Sequence, residues 1–413
     1  MEIRGQIPTL GLNDAIVTVT DGVITDVSSA DGTPVGGPPA DGAAPVILPG
    51  LIDIHCHGGG GHVFTTTDAD EARAVAAHHA ARGTTRVIAS LVTAAPDVLL
   101  DQVAALAPLV ASGELLGIHL EGPFLSAARC GAQSPEFIRD PDPALAGRLL
   151  EAADGAIKVI TLAPERPGAD ETAKLFRAAG VVVALGHTDA SYEIMASGLA
   201  ALSGAGLVTH LANGMPPLHH RSAGPTAASL VAAAADEASV ELVADGVHVD
   251  AGFTRLVFAA AAPGRVVLIT DAMAAAGMAD GLYELGPQRV RVSGGVARLA
   301  ADRDPGDSEG SSGDGGSGVS GAESGVSGGG SGVSGGGGAL AGGTSSLLEV
   351  VATSHAAGVP LTDAADAASA APARVLGLPR HAGTLALGAP ADLVVTDERL
   401  RPRRVLRDGR WIQ

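Results

Sequence analysis

The stretch LIDIHCHGGGG at 51–61 ends an apolar run with two histidines one residue apart. Side chains two apart on a strand point to the same face, so His55 and His57 face together and Cys56 faces away. Two imidazoles converging at a strand end suit one metal ion. The alternative is a pair of core histidines satisfied by hydrogen bonds. The rest of the chain repeats the pattern. Glu121 follows the run LLGIHL, His187 follows VVVALG, His210 follows LVT, His248 follows SVELVADGV and Asp271 follows RVVLIT. If these runs are the strands of one parallel barrel, their ends all open on one face, where such barrels build active sites. A scatter of histidines would not keep choosing that position, so the recurrence favours the metal reading.

The ligand set is then His55, His57, Glu121, His187, His210 and Asp271. Nitrogen and oxygen donors of this kind suit zinc, iron(II), manganese or cobalt. Six candidates exceed what one tetrahedral zinc needs. They can hold two ions bridged by Glu121, or one ion with Asp271 left as a free base. The chemistry is metal-assisted hydrolysis, in which the ion lowers the pKa of a bound water to about 7 and polarises a carbonyl. Asp271 would take the water's proton and deliver it to the leaving group, help worth about 10²–10⁴-fold. Only two lysines occur, Lys158 and Lys174, and neither falls at a strand end where a carbamylated lysine could bridge two metals. Glu121 can serve instead.

The elements that must position these residues alternate. Strand candidates lie at 46–57, 84–90, 115–122, 157–164, 181–188, 207–213, 239–249 and 265–272, with Ala/Leu-rich helical stretches between them. Eight evenly spaced strand–helix units over 49–378 predict an α/β (β/α)₈ TIM-like barrel; an open doubly wound sheet is the alternative. The termini read differently. Residues 1–48 and 379–413 are rich in short strands with Asp-Gly turns (Asp21-Gly22, Asp408-Gly409), which predicts a small β-sandwich built from both ends. Between 302 and 338 the chain is almost all Gly and Ser, with SGVSG three times. Such a tract cannot bury enough apolar surface to order itself, so it is expected to be a disordered insertion between the two arms of a hairpin at 295–299 and 339–341.

Composition narrows the function classes. The 413 residues are 46% hydrophobic but only 2% aromatic, so the core must be built from Val, Leu, Ile and Ala. A net charge of −19 argues against a nucleic-acid partner and requires any anionic substrate to meet local positive charge. Two cysteines are too few for a disulfide framework. No signal-like start and no long apolar span is evident, which predicts a cytoplasmic protein without membrane contact.

The stretches PGLIDIHCHGGGG (49–61), HLEGPFL (119–125), GHTDA (186–190), THLANGMPPLHHR (209–221), VADGVHVD (243–250), LITDAM (268–273), LAGGTSSL (340–347) and GTLALGAPADLVV (383–395) together resemble the amidohydrolase superfamily, and within it the N-acetylglucosamine-6-phosphate deacetylase family. The resemblance spans nearly the whole chain outside the glycine tract. It implies hydrolysis of the N-acetyl group of N-acetyl-D-glucosamine 6-phosphate, in amino-sugar catabolism and cell-wall sugar recycling, by a homodimer. It implies Glu121, His187 and His210 as ligands of the principal metal, Asp271 as the proton donor and acceptor, and His55 with His57 as a second metal site. It implies a substrate pocket formed by Ala132, Gln133, Asn213, Gly214, Arg221, His248, Ala339, Leu340 and Ala341. Arg221 would fork onto the phosphate and supply the positive charge the acidic chain lacks.

The chain departs from the family in three places. Gln133 stands where a histidine is usual, Gly214 where alanine is usual, and the Gly/Ser tract directly precedes a segment expected to line the pocket. Two rival readings are another amidohydrolase, such as an aminoacylase or a cyclic-amide hydrolase, and a non-catalytic barrel. The THLANGM stretch with Arg221 counts against the first. The complete ligand set counts against the second. His78, His79, His62, His219, His220, His355, His381 and Cys130 are read as structural or surface residues, and Gly58–Gly61 as backbone that passes close to the metal or substrate.

Overall fold

The computed structural model describes residues 1–29, 44–300, 338–379 and 381–412. The expected insertion at 302–338 lies outside these apart from Gly338. Eight parallel strands form the centre: β1 (Leu51–Cys56), β2 (Thr84–Leu91), β3 (Gly117–Glu121), β4 (Ile157–Leu162), β5 (Val182–Leu185), β6 (Gly206–Val208), β7 (Ala238–Leu242) and β8 (Val266–Leu268). Each pairs in parallel with the next in sequence. The seam between β8 and β1 closes beyond the end of β8, through a parallel bridge from Cys56 to Ala272. There the Asp271 N–H donates to the His55 carbonyl (2.9 Å) and the His57 N–H to that of Ala272 (2.7 Å). This is the expected TIM-like barrel, not an open sheet.

Helices α1 (Ala69–Ala80), α2 (Pro96–Ala111), α3 (Pro143–Ala153), α4 (Ala169–Ala178), α5 (Tyr192–Ala201), α6 (Gly224–Ala234), α7 (Ala251–Ala260) and α8 (Leu347–Ala356) form the outer layer. Five of them begin on a side-chain cap: Asp68, Asp142, Ser191, Asp250 and Ser346, the last in a capping box with Glu349. Such caps satisfy orphan N–H groups where the chain turns from loop to helix, so each connection ends at a fixed residue. Among the described residues no helix is long and apolar enough to cross a membrane.

The strands are buried on both faces, hence their near-continuous apolar runs. Ile88, Val159, Ala184, Leu207 and Val267 belong to one apolar cluster. Two residues further along come Ser90, Thr161 and Thr209 on three of these strands, so polarity rises there toward the C-terminal ends, while Gly186 and Ile269 follow on the other two.

The run at 46–57 is not one strand. It divides at Gly50: Val46–Pro49 pairs antiparallel with Leu393–Thr396 in the terminal sheet, and only Leu51–Cys56 joins the barrel. A Cβ at Gly50 would meet the Thr85 hydroxyl at 2.4 Å, so the chain passes between the two sheets where no side chain fits. The terminal sheet carries seven strands from both chain ends, and its halves share one core of Ile3, Ile7, Val17, Ile24, Ile47, Leu393 and Leu406. A three-stranded antiparallel sheet, Gly281–Leu285, Gln288–Ser293 and Val296–Leu299, is inserted between β8 and α8. The hairpin expected across the Gly/Ser tract is present at its base, through an antiparallel bridge from Arg298 to Leu340.

Candidate metal centre

Beyond the C-terminal ends of the strands, two three-residue groups bring one ligand atom each to within 4.8 Å of one another: Glu121, His187 and His210, and His55, His57 and Asp271. These are the six residues expected from the sequence. Glu121 ends β3, whereas His187, His210 and Asp271 stand two or three residues past the ends of β5, β6 and β8. The same three adopt left-handed backbone, with φ of 46°, 26° and 48°. For residues with a Cβ such conformations cost of order 1–3 kcal/mol each, and they persist where the surroundings over-determine them.

The imidazoles are oriented from behind. His57 Nδ1 lies 3.1 Å from the Ser90 carbonyl and His187 Nδ1 2.8 Å from that of Arg129. A carbonyl only accepts, so each Nδ1 carries the hydrogen and each Nε2 presents its lone pair. The Nε2 atoms nevertheless crowd together. His187 and His210 are 3.0 Å apart and His55 and His57 3.2 Å, with Glu121 Oε1 at 3.0 Å from His187 and 2.9 Å from His210. Glu121 also lies 3.4 Å from His55 and 3.2 Å from His57, and Asp271 Oδ1 lies 3.3 Å from His57. Converging lone pairs and carboxylate oxygens repel unless a cation sits among them, so this donor set fits a divalent metal ion.

The electrostatics agree. Burial opposes the charged form of His57, yet hydrogen bonds to Asp271 and Glu121 lift its pKa to about 9. Burial likewise opposes protonation of His187, and the Glu121 carboxylate overcomes it. Burial pushes Glu121 toward neutrality, but His55 and His187 hold it well below the usual carboxylate range. Asp271 is pulled down against burial by His57 and His55. Asp271 is also the least covered ligand, its side chain 14% exposed against 3% for Glu121. A group that is ionised and open to the cavity is placed to exchange a proton with something bound there.

A cavity of about 200 Å³ opens over these groups. Ala132, Gln133, Asn213, Gly214, His248, Ala339 and Leu340 line it as expected, joined by Gly131, Leu285 and Gly342. His248 does not end β7. It sits six residues past Leu242, held by Asp245 at 2.8 Å, whose carboxylate raises the ring's pKa against the effect of burial. Two expected lining residues are elsewhere. Ala341 is fully buried in the apolar cluster under the three-stranded sheet, and Arg221 is exposed and outside the lining. The wall at 338–343 is fixed by the bridge from Arg298 to Leu340 and by another from Ala272 to Gly343.

Gln133 is buried and committed. Its Oε1 accepts from the Thr93 N–H (2.7 Å) and its Nε2 donates to Glu121 Oε2 (2.5 Å), so it orients the carboxylate at the centre of the cluster. Gly214 has φ of 58°, and a Cβ there would approach His187 Nδ1 to 3.0 Å, which explains glycine in this chain. The run Gly58–Gly61 approaches α1 instead of the cavity: a Cβ on Gly59 would lie 2.6 Å from His79 Nε2, and one on Gly60 2.5 Å from His78 Nδ1. His79 Nε2 lies 2.9 Å from the Gly58 carbonyl and 3.2 Å from Cys56 Sγ, so this helix residue braces the segment that carries His55 and His57.

Sequence reasoning missed the polar residues inside the strands. His119 is wedged between the Ser90 hydroxyl (3.0 Å) and the Thr161 hydroxyl (2.8 Å). Asp53 accepts from the Thr270 hydroxyl at 2.6 Å, and burial raises its pKa to about 6. Glu241 lies 3.0 Å from His55 Nδ1. The available signal was an ionisable residue inside an otherwise apolar parallel strand, which must find a buried partner.

The model of the amidohydrolase family matches residues 46–412. The N-acetylglucosamine-6-phosphate deacetylase of Bacillus subtilis (strain 168) is 37% identical over 302 residues, covering 70% of this chain and 74% of that one. The N-acetylgalactosamine-6-phosphate deacetylase of Escherichia coli O157:H7 is 31% identical over 406 residues, covering 97% and 94%. A mutant N-acetyl-D-glucosamine-6-phosphate deacetylase from Mycobacterium smegmatis, solved in complex with N-acetyl-D-glucosamine-6-phosphate, has a TM-score of 0.81 at 38% identity, covering 97% of this chain and 95% of that one.

Proposed function

The chain belongs to the amidohydrolase family, and from that premise we infer that it is an enzyme that hydrolyses the N-acetyl group of N-acetyl-D-glucosamine 6-phosphate, giving D-glucosamine 6-phosphate and acetate. The observation that carries the reading is the convergence of Glu121, His187, His210, His57 and Asp271 at one cavity, with His55 buried directly behind them. Glu121, His187 and His210 would hold one divalent ion, with zinc, iron, manganese or cobalt all suited to the donors, and His55, His57 and Asp271 a second. Such an ion supplies Lewis acidity toward the amide carbonyl and a water of lowered pKa.

The protein's own groups do the rest. Asp271, ionised and partly open to the cavity, accepts the proton of the attacking water and returns it to the amine as the C–N bond breaks. Gln133 holds Glu121 in register. The backbones of Ser90 and Arg129 keep His57 and His187 in the tautomer that presents Nε2. His248, its pKa raised against burial by Asp245, and Asn213-Gly214 form the polar wall for the sugar phosphate together with Ala132, Ala339 and Leu340. Arg221 is proposed as the phosphate clamp from the exposed segment that follows Gly214. A homodimer in the cytoplasm completes the proposal.

The test is acetate release from N-acetylglucosamine 6-phosphate and from N-acetylglucosamine on one metal-quantified preparation, before and after chelation, with N-acetylgalactosamine 6-phosphate alongside. Chelator-sensitive release from the phosphorylated glucosamine substrate is expected. Release from no phosphorylated sugar, with metal bound, would refute the reading.

A further inference from the structure

We propose that Glu241 is a positioning residue that locks both metal-holding groups at once, through a single carboxylate oxygen. Glu241 is the fourth residue of β7 and is fully buried. Its Oε2 lies 3.0 Å from His55 Nδ1 and accepts the backbone N–H of His210 at 3.1 Å. His55 belongs to one ligand group and His210 to the other. The inference rests on the reading above that these groups hold metal.

The chemistry follows from what a carboxylate can do. Glu241 Oε2 already accepts the His210 N–H, and facing that oxygen His55 Nδ1 carries its hydrogen and Nε2 presents its lone pair. That Nε2 faces the site, 3.2 Å from His57 Nε2, 3.4 Å from Glu121 Oε1 and 3.6 Å from Asp271 Oδ1. The other two oriented rings, His57 and His187, rest on neutral backbone carbonyls. His55 alone among the ligands is backed by a carboxylate, and a carboxylate behind an imidazole raises its strength as a ligand as well as fixing the tautomer. At His210 the same oxygen holds a backbone N–H where φ is 26°, a conformation that needs an outside anchor. His210 Nδ1 has no partner among the described residues, so this ring, unlike the other three, is oriented through its backbone.

The second carboxylate oxygen, Oε1, is buried with no hydrogen-bond partner among the described residues. Among the described residues no arginine or lysine reaches Glu241, and its one ionisable partner is His55. With Glu121 and Asp271 it makes three carboxylates around one cluster of imidazoles. Such a carboxylate is costly to bury away from a partner, so its place behind His55 points to a role at that ring.

The test is titration of the metal-free full-length chain with cobalt(II), followed by visible absorption and by chelator competition, for the unaltered chain, Glu241→Gln, His55→Ala and the double variant. Glutamine keeps the shape of the side chain but not its charge, and its amide must place an N–H against a donor or bury it unpaired. The unaltered chain should take up two ions. Glu241→Gln should weaken the ion bound at the His55 group by about 10–100-fold, the range for loss of a group behind a metal-binding histidine, and alter its absorption band. In the His55→Ala background, Glu241→Gln should add no further loss at that group.

Unchanged affinities and spectra in Glu241→Gln, with two ions bound to the unaltered chain, would overturn the positioning role and leave the metal reading standing. Uptake of fewer than two ions by the unaltered chain would sink the metal reading of the His55 group, and this proposal with it. Should Glu241→Gln melt lower than the unaltered chain when both are metal-free, the double variant decides: a loss that persists without His55 assigns Glu241 a purely structural role.

Discussion

The two ligand groups meet at one cavity but are built in different ways. His55 and His57 come from a single strand, two residues apart, and need only Asp271 across the barrel seam. Glu121, His187 and His210 come from or beyond three strands, separated by up to 89 residues, and touch only because the barrel brings its strand ends together. Their supports differ as well. The first group is backed by the Ser90 carbonyl, by Glu241 and by His79 behind the glycine run. The second depends on the Arg129 carbonyl behind His187, on Gln133 against Glu121 and on left-handed backbone at both histidines, where the first has it only at Asp271; of these supports Glu241 alone reaches both groups. A group carried on one strand inherits its geometry from local periodicity. A group carried on several inherits it from loops, and loops must be pinned one at a time.

Glu121 is the residue that joins the groups, with contacts at 2.9–3.4 Å to all four histidines. Glu121→Ala should therefore erase the distinction, and metal content and acetate release should both fall to background. A variant that retained either ion would show the groups to be independent. Asp271→Asn should separate ligation from proton transfer: acetate release should fall by about 10²–10⁴-fold while the Glu121 group keeps its metal, which metal analysis after dialysis would establish. Unchanged release with metal bound would remove Asp271 as the base.

Protons compete with metal for the first group. In the metal-free chain the His57 ring is protonated below about pH 9, because Asp271 and Glu121 outweigh burial. The neutral ring is the ligating form, so its fraction falls with each pH unit below that value. Apparent metal affinity at this group should then rise with pH by up to about tenfold per unit for the proton displaced from His57, and more steeply where His55, held against burial well above the usual imidazole range by Glu121 and Glu241, gives up a second, checked by chelator competition at several pH values between 6 and 9. A flat profile would mean that His57 does not ligate.

Arg221→Ala should raise KM for the phosphorylated sugar far more than for N-acetylglucosamine, as steady-state kinetics on both substrates would show. Equal losses on the two would remove the phosphate clamp. The smallest expected effect tests the loop-pinned group. Gly214→Ala should lower stability by about 1–2 kcal/mol, read from the thermal midpoint, because φ is 58° and the new Cβ would crowd His187.

The sequence carried a good part of this. Period-two spacing put His55 and His57 on one face, the alternation of β-rich and Ala-rich runs laid out eight strand–helix units, and polar residues recurring after those runs pointed to the six residues that the fold brings together. The hairpin arms at 295–299 and 339–341 were legible as short runs flanking the Gly/Ser tract, and a bridge from Arg298 to Leu340 pairs them. Less legible were boundaries set by partners far away. Whether 46–57 is one strand or two depends on Leu393–Thr396, which pairs with its first half. Arg221 and Ala341 look like pocket residues in a motif, yet one is exposed and the other is packed in a small core.

The division has a physical cause. Local spacing fixes which way a side chain leaves its strand, because that direction is a property of the backbone two residues at a time. It does not fix which ring nitrogen carries a hydrogen or what stands behind it. Those follow from Ser90 behind His57, Arg129 behind His187 and Glu241 behind His55, partners 33, 58 and 186 residues away. They are chosen only when the barrel closes and each buried donor must meet an acceptor.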